Sequence, residues 1–296
     1  MAALALAACQ ERPADPGTTS MDGLLVLTGD LRASTSLQTC VGDPCRMETV
    51  DTPDGTTWIA AGDGALVATL VDATLRTSGA PDPGGKQTWR AMKLVDPEGA
   101  PVDGPFMFPG WDPAGSGFAV LAGGLDADPR LVLADPESRT AVEQTLDPPI
   151  GPAPPAWVGD ERVLVVTGTD DALTSSVIDT ASGDPSPGPD GARLVATSAD
   201  ARIVAVAGAG RDPVTIRVTS DWLAGSGPPL AMIGVPDGAV AVTSLALDAD
   251  GSRLAVAWLT DAGSVRVLAY ARGDRWRAVD VTGAREPAAA VVAWSR

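Results

Sequence analysis

The chain has 296 residues and not one histidine; asparagine is absent as well. Without imidazole there is no His-based general base, no usual zinc site and no histidine switch near neutral pH. Cations are scarce, 21 Lys+Arg against 38 Asp+Glu, for a formal net charge of −17. That balance argues against a nucleic-acid partner, because phosphate binding requires a cationic surface. No stretch reaches the roughly 18 apolar residues of a membrane span. No glycine-rich phosphate loop follows a strand, and the G-x-S-x-G elbow is missing, so nucleotide and serine-nucleophile chemistry have no residues to carry them. The sequence therefore predicts no catalytic residue, no resident metal and no cofactor.

What is abundant is punctuation. With 33 Gly and 26 Pro in a chain that is 45% hydrophobic, the composition is too apolar for disorder and too often interrupted for long helices. Short strands joined by many turns, an all-β domain, fit it best. One pattern recurs: a short apolar strand, often with Trp, then a turn with Asp or Gly, then a very apolar strand. Copies are Trp58-Ile59-Ala60-Ala61-Gly62-Asp63 into Ala65–Val67, Trp111-Asp112-Pro113 into Phe118–Leu121, and Trp157-Val158-Gly159-Asp160 into Val163–Val166. Ser198-Ala199-Asp200 leads into Ile203–Val206, and Leu247-Asp248-Ala249-Asp250-Gly251 into Leu254–Ala257. The spacing, about 40–50 residues, is that of a four-stranded propeller blade.

Whole blades are predicted at 52–103, 104–149, 150–193, 194–240 and 241–285. Two half-units remain. Ala288–Trp294 reads as a lone inner strand; Leu24–Thr28, Ser34–Cys40 and Cys45–Val50 supply the three strands it lacks. Joined, they make a sixth blade that closes the ring and removes its open edges. In the fourth blade, counting the composite one first, Asp184-Pro185-Ser186-Pro187-Gly188-Pro189 makes a poor outer strand, because proline cannot donate to a ladder. These repeats resemble the WD40-like and TolB-type blades of bacterial extracytoplasmic propellers, with Asp248-Ala249-Asp250-Gly251 the closest turn. The resemblance covers about residues 21–296 and implies a single six-bladed β-propeller; it does not imply a function.

Leu6-Ala7-Ala8-Cys9 resembles the lipobox of bacterial lipoproteins, which implies lipidation at Cys9 and a polar tether to Ser20. The run before Cys9 has no basic residue and is short, so it reads either as a clipped signal or as an Ala-rich N-terminus. The expected domains are a signal and tether over 1–20 and a propeller over 21–296. Cys40 and Cys45 flank the turn Val41-Gly42-Asp43-Pro44 as opposed residues of a hairpin, within disulfide reach, and a disulfide suits an extracytoplasmic protein held to the membrane only by lipid.

Candidate sites are few. Trp58, Trp111, Trp157 and Trp294 occupy one repeat position and read as packing between blades rather than as sugar-stacking platforms. Asp248, Asp250 and Ser252 have calcium-loop spacing without the closing bidentate Glu, so turn capping is the better reading. Acids recur between second and third strands: Asp30, Asp72, Asp126, Asp128, Asp170, Asp171, Asp212 and Asp261. Alternating strand direction puts these loops on one face. They are either independent turn residues or a negative rim that recruits a metal ion or a cationic partner. Asp82-Pro83-Gly84-Gly85-Lys86-Gln87-Thr88-Trp89 loosely resembles a sialidase Asp-box, and Tyr270 is the lone tyrosine. The expectation is a monomeric, non-catalytic binding or scaffold module for a protein or small-molecule partner. A degenerate sialidase-like glycosidase and a metal-dependent hydrolase using the acidic rim are the alternatives.

Overall fold

The computed structural model describes residues 20–29, 35–42, 45–62, 64–112, 117–123, 129–146, 153–159, 161–169, 172–272, 276–282 and 287–295. Its strands follow the repeat. Blade 1 takes β1 (Leu24–Gly29), β2 (Thr35–Val41) and β3 (Arg46–Val50), and blade 2 takes β4 (Thr56–Gly62), β5 (Ala65–Leu70), β6 (Leu75–Gly79) and β7 (Arg90–Met92). A small hairpin, β8 (Leu94–Val95) and β9 (Pro101–Val102), precedes blade 3, which is β10 (Phe106–Trp111), β11 (Phe118–Ala122), β12 (Arg130–Ala134) and β13 (Ala141–Thr145). Blade 4 is β14 (Ala156–Gly159), β15 (Arg162–Thr169), β16 (Ala172–Asp179) and β17 (Pro185–Pro187). Blade 5 is β18 (Leu194–Thr197), β19 (Ile203–Ala207), β20 (Val214–Val218) and β21 (Ala231–Ile233), with the short helix α1 (Thr219–Leu223) before β21. Blade 6 is β22 (Ala239–Leu247), β23 (Arg253–Thr260), β24 (Val265–Arg272) and β25 (Trp276–Asp280), and the last strand is β26 (Ala289–Trp294).

Six antiparallel four-stranded sheets form a six-bladed β-propeller. Blade 1 has the order β26-β1-β2-β3. Its register runs from Leu24 opposite Trp294 to Gly29 opposite Ala289, the pairing that the two half-units predict. The Ser295 amide donates to the Gly23 carbonyl at 2.9 Å, so the described ends of the chain meet where the other blades have a turn.

Burial follows position in the blade. Every residue of β11 is buried, whereas β13 is wetted at Val142, Glu143 and Thr145. Apolar clusters fill the seams: Leu25, Leu37, Ile59 and Leu66 between blades 1 and 2, Val67, Phe106 and Phe118 between blades 2 and 3, and Leu121, Trp157 and Val163 between blades 3 and 4. Leu164, Val204, Leu245 and Val256 continue it through blades 4 to 6, and Val26, Ala257 and Val267 complete the circle. Inner strands buried on both faces explain why the repeat reads as continuous apolar runs.

Two details differ from the sequence reading and one follows it. The fourth blade's outer strand is poor, as its prolines predict: three exposed residues, Pro185–Pro187. It is held by flanking bonds, Gly188 N–H to the Ser175 carbonyl and the Ser186 hydroxyl to the Val177 carbonyl. The hairpin β8–β9, which the repeat does not foreshadow, lays Leu94 and Val102 into the blade 2–3 cluster. Cys40 and Cys45 form a disulfide with Cα atoms 5.3 Å apart, yet they are not opposed. Cys40 faces Met47 and Val41 faces Arg46, leaving Cys45 in the turn.

Candidate functional site

The six inner strands surround a channel of about 110 Å³ lined by Ile59, Gly110, Ala156, Ala196, Ala246 and Ala293 among others, with no charged side chain among the described residues. At the end where first strands turn into second strands, three tryptophans line it. The Trp157 indole N–H donates to the Gly110 carbonyl at 3.2 Å, and Trp294 donates to the Ala246 carbonyl at 3.2 Å. In both cases the acceptor lies in the preceding blade. The Trp111 ring lies on Gly62, where an added Cβ would come within 2.4 Å of it; only glycine permits that approach.

The same end carries a clasp. The Arg253 guanidinium pairs with Asp248 at 2.6 Å and donates to the carbonyls of Ser20 and Asp22, each at 3.0 Å. It also lies 4.6 Å over the Trp294 ring. One side chain of blade 6 thus holds both strands that close blade 1. Asp248 accepts from Ser252 and from the Arg253 amide, and Asp250 accepts from the Ser252 amide. The calcium-loop spacing is therefore filled by protein donors, and among the described residues no group of acids and thiols is placed to hold a metal.

Trp58 breaks the sequence grouping. It pairs with Thr69, near the far end of β5, so it sits at the opposite mouth from the other three. The sequence carried a signal: Trp58 stands four residues before Gly62, whereas Trp111 directly adjoins its turn. At that mouth a pocket of about 600 Å³ opens, walled by Trp58, Leu70, Phe106, Phe108, Leu259 and Val291. Trp58 and Phe108 meet edge to face with centroids 5.0 Å apart. Phe108 has a φ of 54°, a left-handed conformation rare for a bulky residue, at a bulge in β10. The polar wall groups are satisfied internally: the Thr57 hydroxyl donates to the Thr69 carbonyl and the Thr243 hydroxyl to that of Ala257.

Of the predicted rim, Asp212 and Asp261 are described, as is Asp72; Cys9, Asp30, Asp126, Asp128, Asp170 and Asp171 lie outside the described residues. Asp72 stands between Val71 and Ala73, which both line the pocket, and Asp261 follows Leu259 in the turn to Val265, which line it too. Asp72 accepts from the hydroxyl and amide of Thr74, which hold its carboxyl below the usual range. Asp212 instead lines a separate groove between blades 4 and 5, with Asp190 and Arg217. The stretch from Asp82 to Trp89 is a closed outer turn: Gln87 bonds Ser78, Gly79 and Ala80, and Trp89 bonds the Asp51 carbonyl. Tyr270 is packed with Leu254 and Trp258, and burial raises its phenol above the ordinary value. It is closed to any sugar.

No known family matches the chain, and no curated protein does. Solved propellers do. The chain is similar to TolB from Acinetobacter baumannii, at 13% identity and a TM-score of 0.63, over 91% of this chain and 66% of that one. It therefore spans about two thirds of TolB's length. A chain of a nidogen/laminin complex matches at 10% identity and a TM-score of 0.60, over 93% of this chain and 100% of that one. A quinoprotein alcohol dehydrogenase-like protein from Bacteroides thetaiotaomicron matches at 12% identity and a TM-score of 0.50, over 93% and 69%. These likenesses show the propeller fold and leave the function to the site.

Proposed function

We propose that this chain is a non-catalytic binding or scaffold module, and that its recognition face is the one where the apolar pocket opens. The observation that carries this is the pocket itself: about 600 Å³, within the range of ligand sites, with aromatic walls and its wall hydroxyls already bonded. Such a wall offers burial and no general acid, base or nucleophile. Loops on a rigid scaffold are also where recognition concentrates. The partner is a protein or small molecule, and the rim candidates Asp30, Asp126, Asp128, Asp170, Asp171, Asp212 and Asp261 would add negative steering on the same face.

The address belongs to the same reading. Cys9 would carry the lipid, the Cys40–Cys45 bridge suits an oxidising compartment, and no described helix is long and apolar enough to cross a membrane. Replacing Cys9→Ala is expected to move the protein from membranes to the soluble fraction; retention on membranes would rule out lipid anchoring.

A neutral naphthylamine dye tests the pocket directly. It should bind saturably with enhanced fluorescence, and Thr243→Leu or Ala289→Leu, which narrow the cavity, should weaken it. Unsaturable binding, or binding indifferent to both substitutions, would remove the pocket as the site.

A further inference from the structure

Resting on that reading, the geometry points to one occupant for the channel-mouth pocket: a basic peptide segment of a protein partner that inserts a bulky apolar side chain. Three observations combine. The cavity is walled by Trp58, Phe106, Phe108 and Leu259, with no charged side chain among the described residues, so it accepts apolar bulk and would have to desolvate any charge placed inside it. Two described turns at its lip each carry an acid, Asp72 between Val71 and Ala73 and Asp261 between Leu259 and Val265. Among the described residues no Lys or Arg lines the cavity. Of the described cations nearby, Arg266 is paired with Asp280 at 2.8 Å, and Arg76 attracts Asp72 from the adjoining strand without lining the cavity. With a net charge of −17, the chain repels anionic ligands before they arrive and steers cationic ones.

The lip also decides between a peptide and a small amphiphilic cation. Val71 is 67% exposed, the most exposed large apolar side chain among those described, and it stands at the rim. A molecule that fills only the cavity meets one side of Val71 and leaves the rest in water; a chain crossing the lip covers it while its cationic side chains lie beside Asp72 and Asp261. Burial supplies the affinity, and the acids set sign and rate.

The test uses the whole chain and a short dye-labelled peptide alternating lysine with leucine around one tryptophan, followed by fluorescence anisotropy. Binding is expected, falling with added salt. It should weaken about fivefold in Val71→Ser and by a similar factor in Asp72→Asn with Asp261→Asn, with the melting transition of each variant nearly unchanged because these positions lie at the surface. The peptide should also displace the naphthylamine dye. A lysine–serine peptide of equal charge binding as tightly would overturn the proposal, since the whole acidic surface would then suffice. A glutamate–leucine peptide binding as tightly would overturn the charge preference. An alkyltrimethylammonium ion that displaces the dye while neither Val71→Ser nor the Asp pair affects the peptide would assign the pocket to small cations instead. Dye binding without peptide binding sinks this inference and leaves the pocket reading standing; loss of dye binding sinks both.

Discussion

The two mouths of the channel are built from the same residue type and do opposite things. At one, Trp111, Trp157 and Trp294 pack between blades, two of them bonded to a carbonyl of the preceding inner strand, and Arg253 ties blade 6 to the segment entering β1 and to Trp294 of β26. At the other, Trp58 has no such carbonyl among its described bonds; it meets Phe108 at the edge of an open apolar pocket. The difference teaches that in a repeat fold the register of a residue within its strand, more than its identity, separates packing from recognition. Moving Trp from the turn end to the far end of the inner strand changes its neighbour from a backbone to a cavity.

The contrast can be broken most severely at the clasp end. Removing residues 287–295 deletes β26, strips the buried Leu24, Leu25, Val26 and Leu27 of their partner strand, and bares the edge of β1. Loss of the cooperative thermal transition is expected; a variant that still melts sharply near the parent would mean blade 1 does not hold the ring. Arg253→Met is milder. It leaves the Asp248 carboxylate, only 3% exposed, without its cation, at a cost of about 3 kcal/mol. Adding Asp248→Asn should recover part of this, and dye binding at the far mouth should not change. Coupling between clasp and pocket would show that the two ends are not independent.

Opening the Cys40–Cys45 bridge should remove about 2 kcal/mol, the loop-closure contribution of so small a ring, measured as a lower denaturant midpoint in Cys40→Ser with Cys45→Ser. A paired comparison then sharpens the claim about tryptophan. Trp157→Phe loses a bond to Gly110 and should cost about 1 kcal/mol with dye binding intact. Trp58→Phe should cost less stability and weaken the dye. Equal effects of the two on both readouts would erase the distinction. The smallest effect is that of acid. Asp72 and Asp135 have carboxyls held below the usual range by Thr74 and by Ser138. Their contribution is therefore full above about pH 4 and is lost as pH falls through the lower folded values. Both turns are exposed, so acid titration of the melting temperature should show a shallow decline there rather than a step.

Most of the fold was legible because the repeat is carried by burial. Second strands buried on both faces, such as Phe118–Ala122, cannot hide their pattern in the sequence. The composite blade was legible because each half lacked what the other offered. The pocket was not. Its wall comes from Thr57, Pro105, Thr243 and Ala288, far apart in the chain and ordinary in type, and only ring closure brings blades 1, 2, 3 and 6 together around it. Trp58 shares residue type and repeat with Trp111 and Trp157, and only its distance from the turn that follows separates it from them. Of the described acids of the expected rim, Asp212 lines a different groove from the turns that hold Asp72 and Asp261. The hairpin β8–β9 left no trace in the repeat because it lies outside the blade register.

The meeting of Gly23 with Ser295 also sets a direction. Strand β1 starts at the clasp end and runs toward the pocket end, so Ser20, the first described residue, lies on the side opposite the pocket. Under the anchoring proposed at Cys9, a pull would arrive at Ser20 and reach the ring through the two carbonyl bonds from Arg253. The aromatic mouth lies at the far pole from that load.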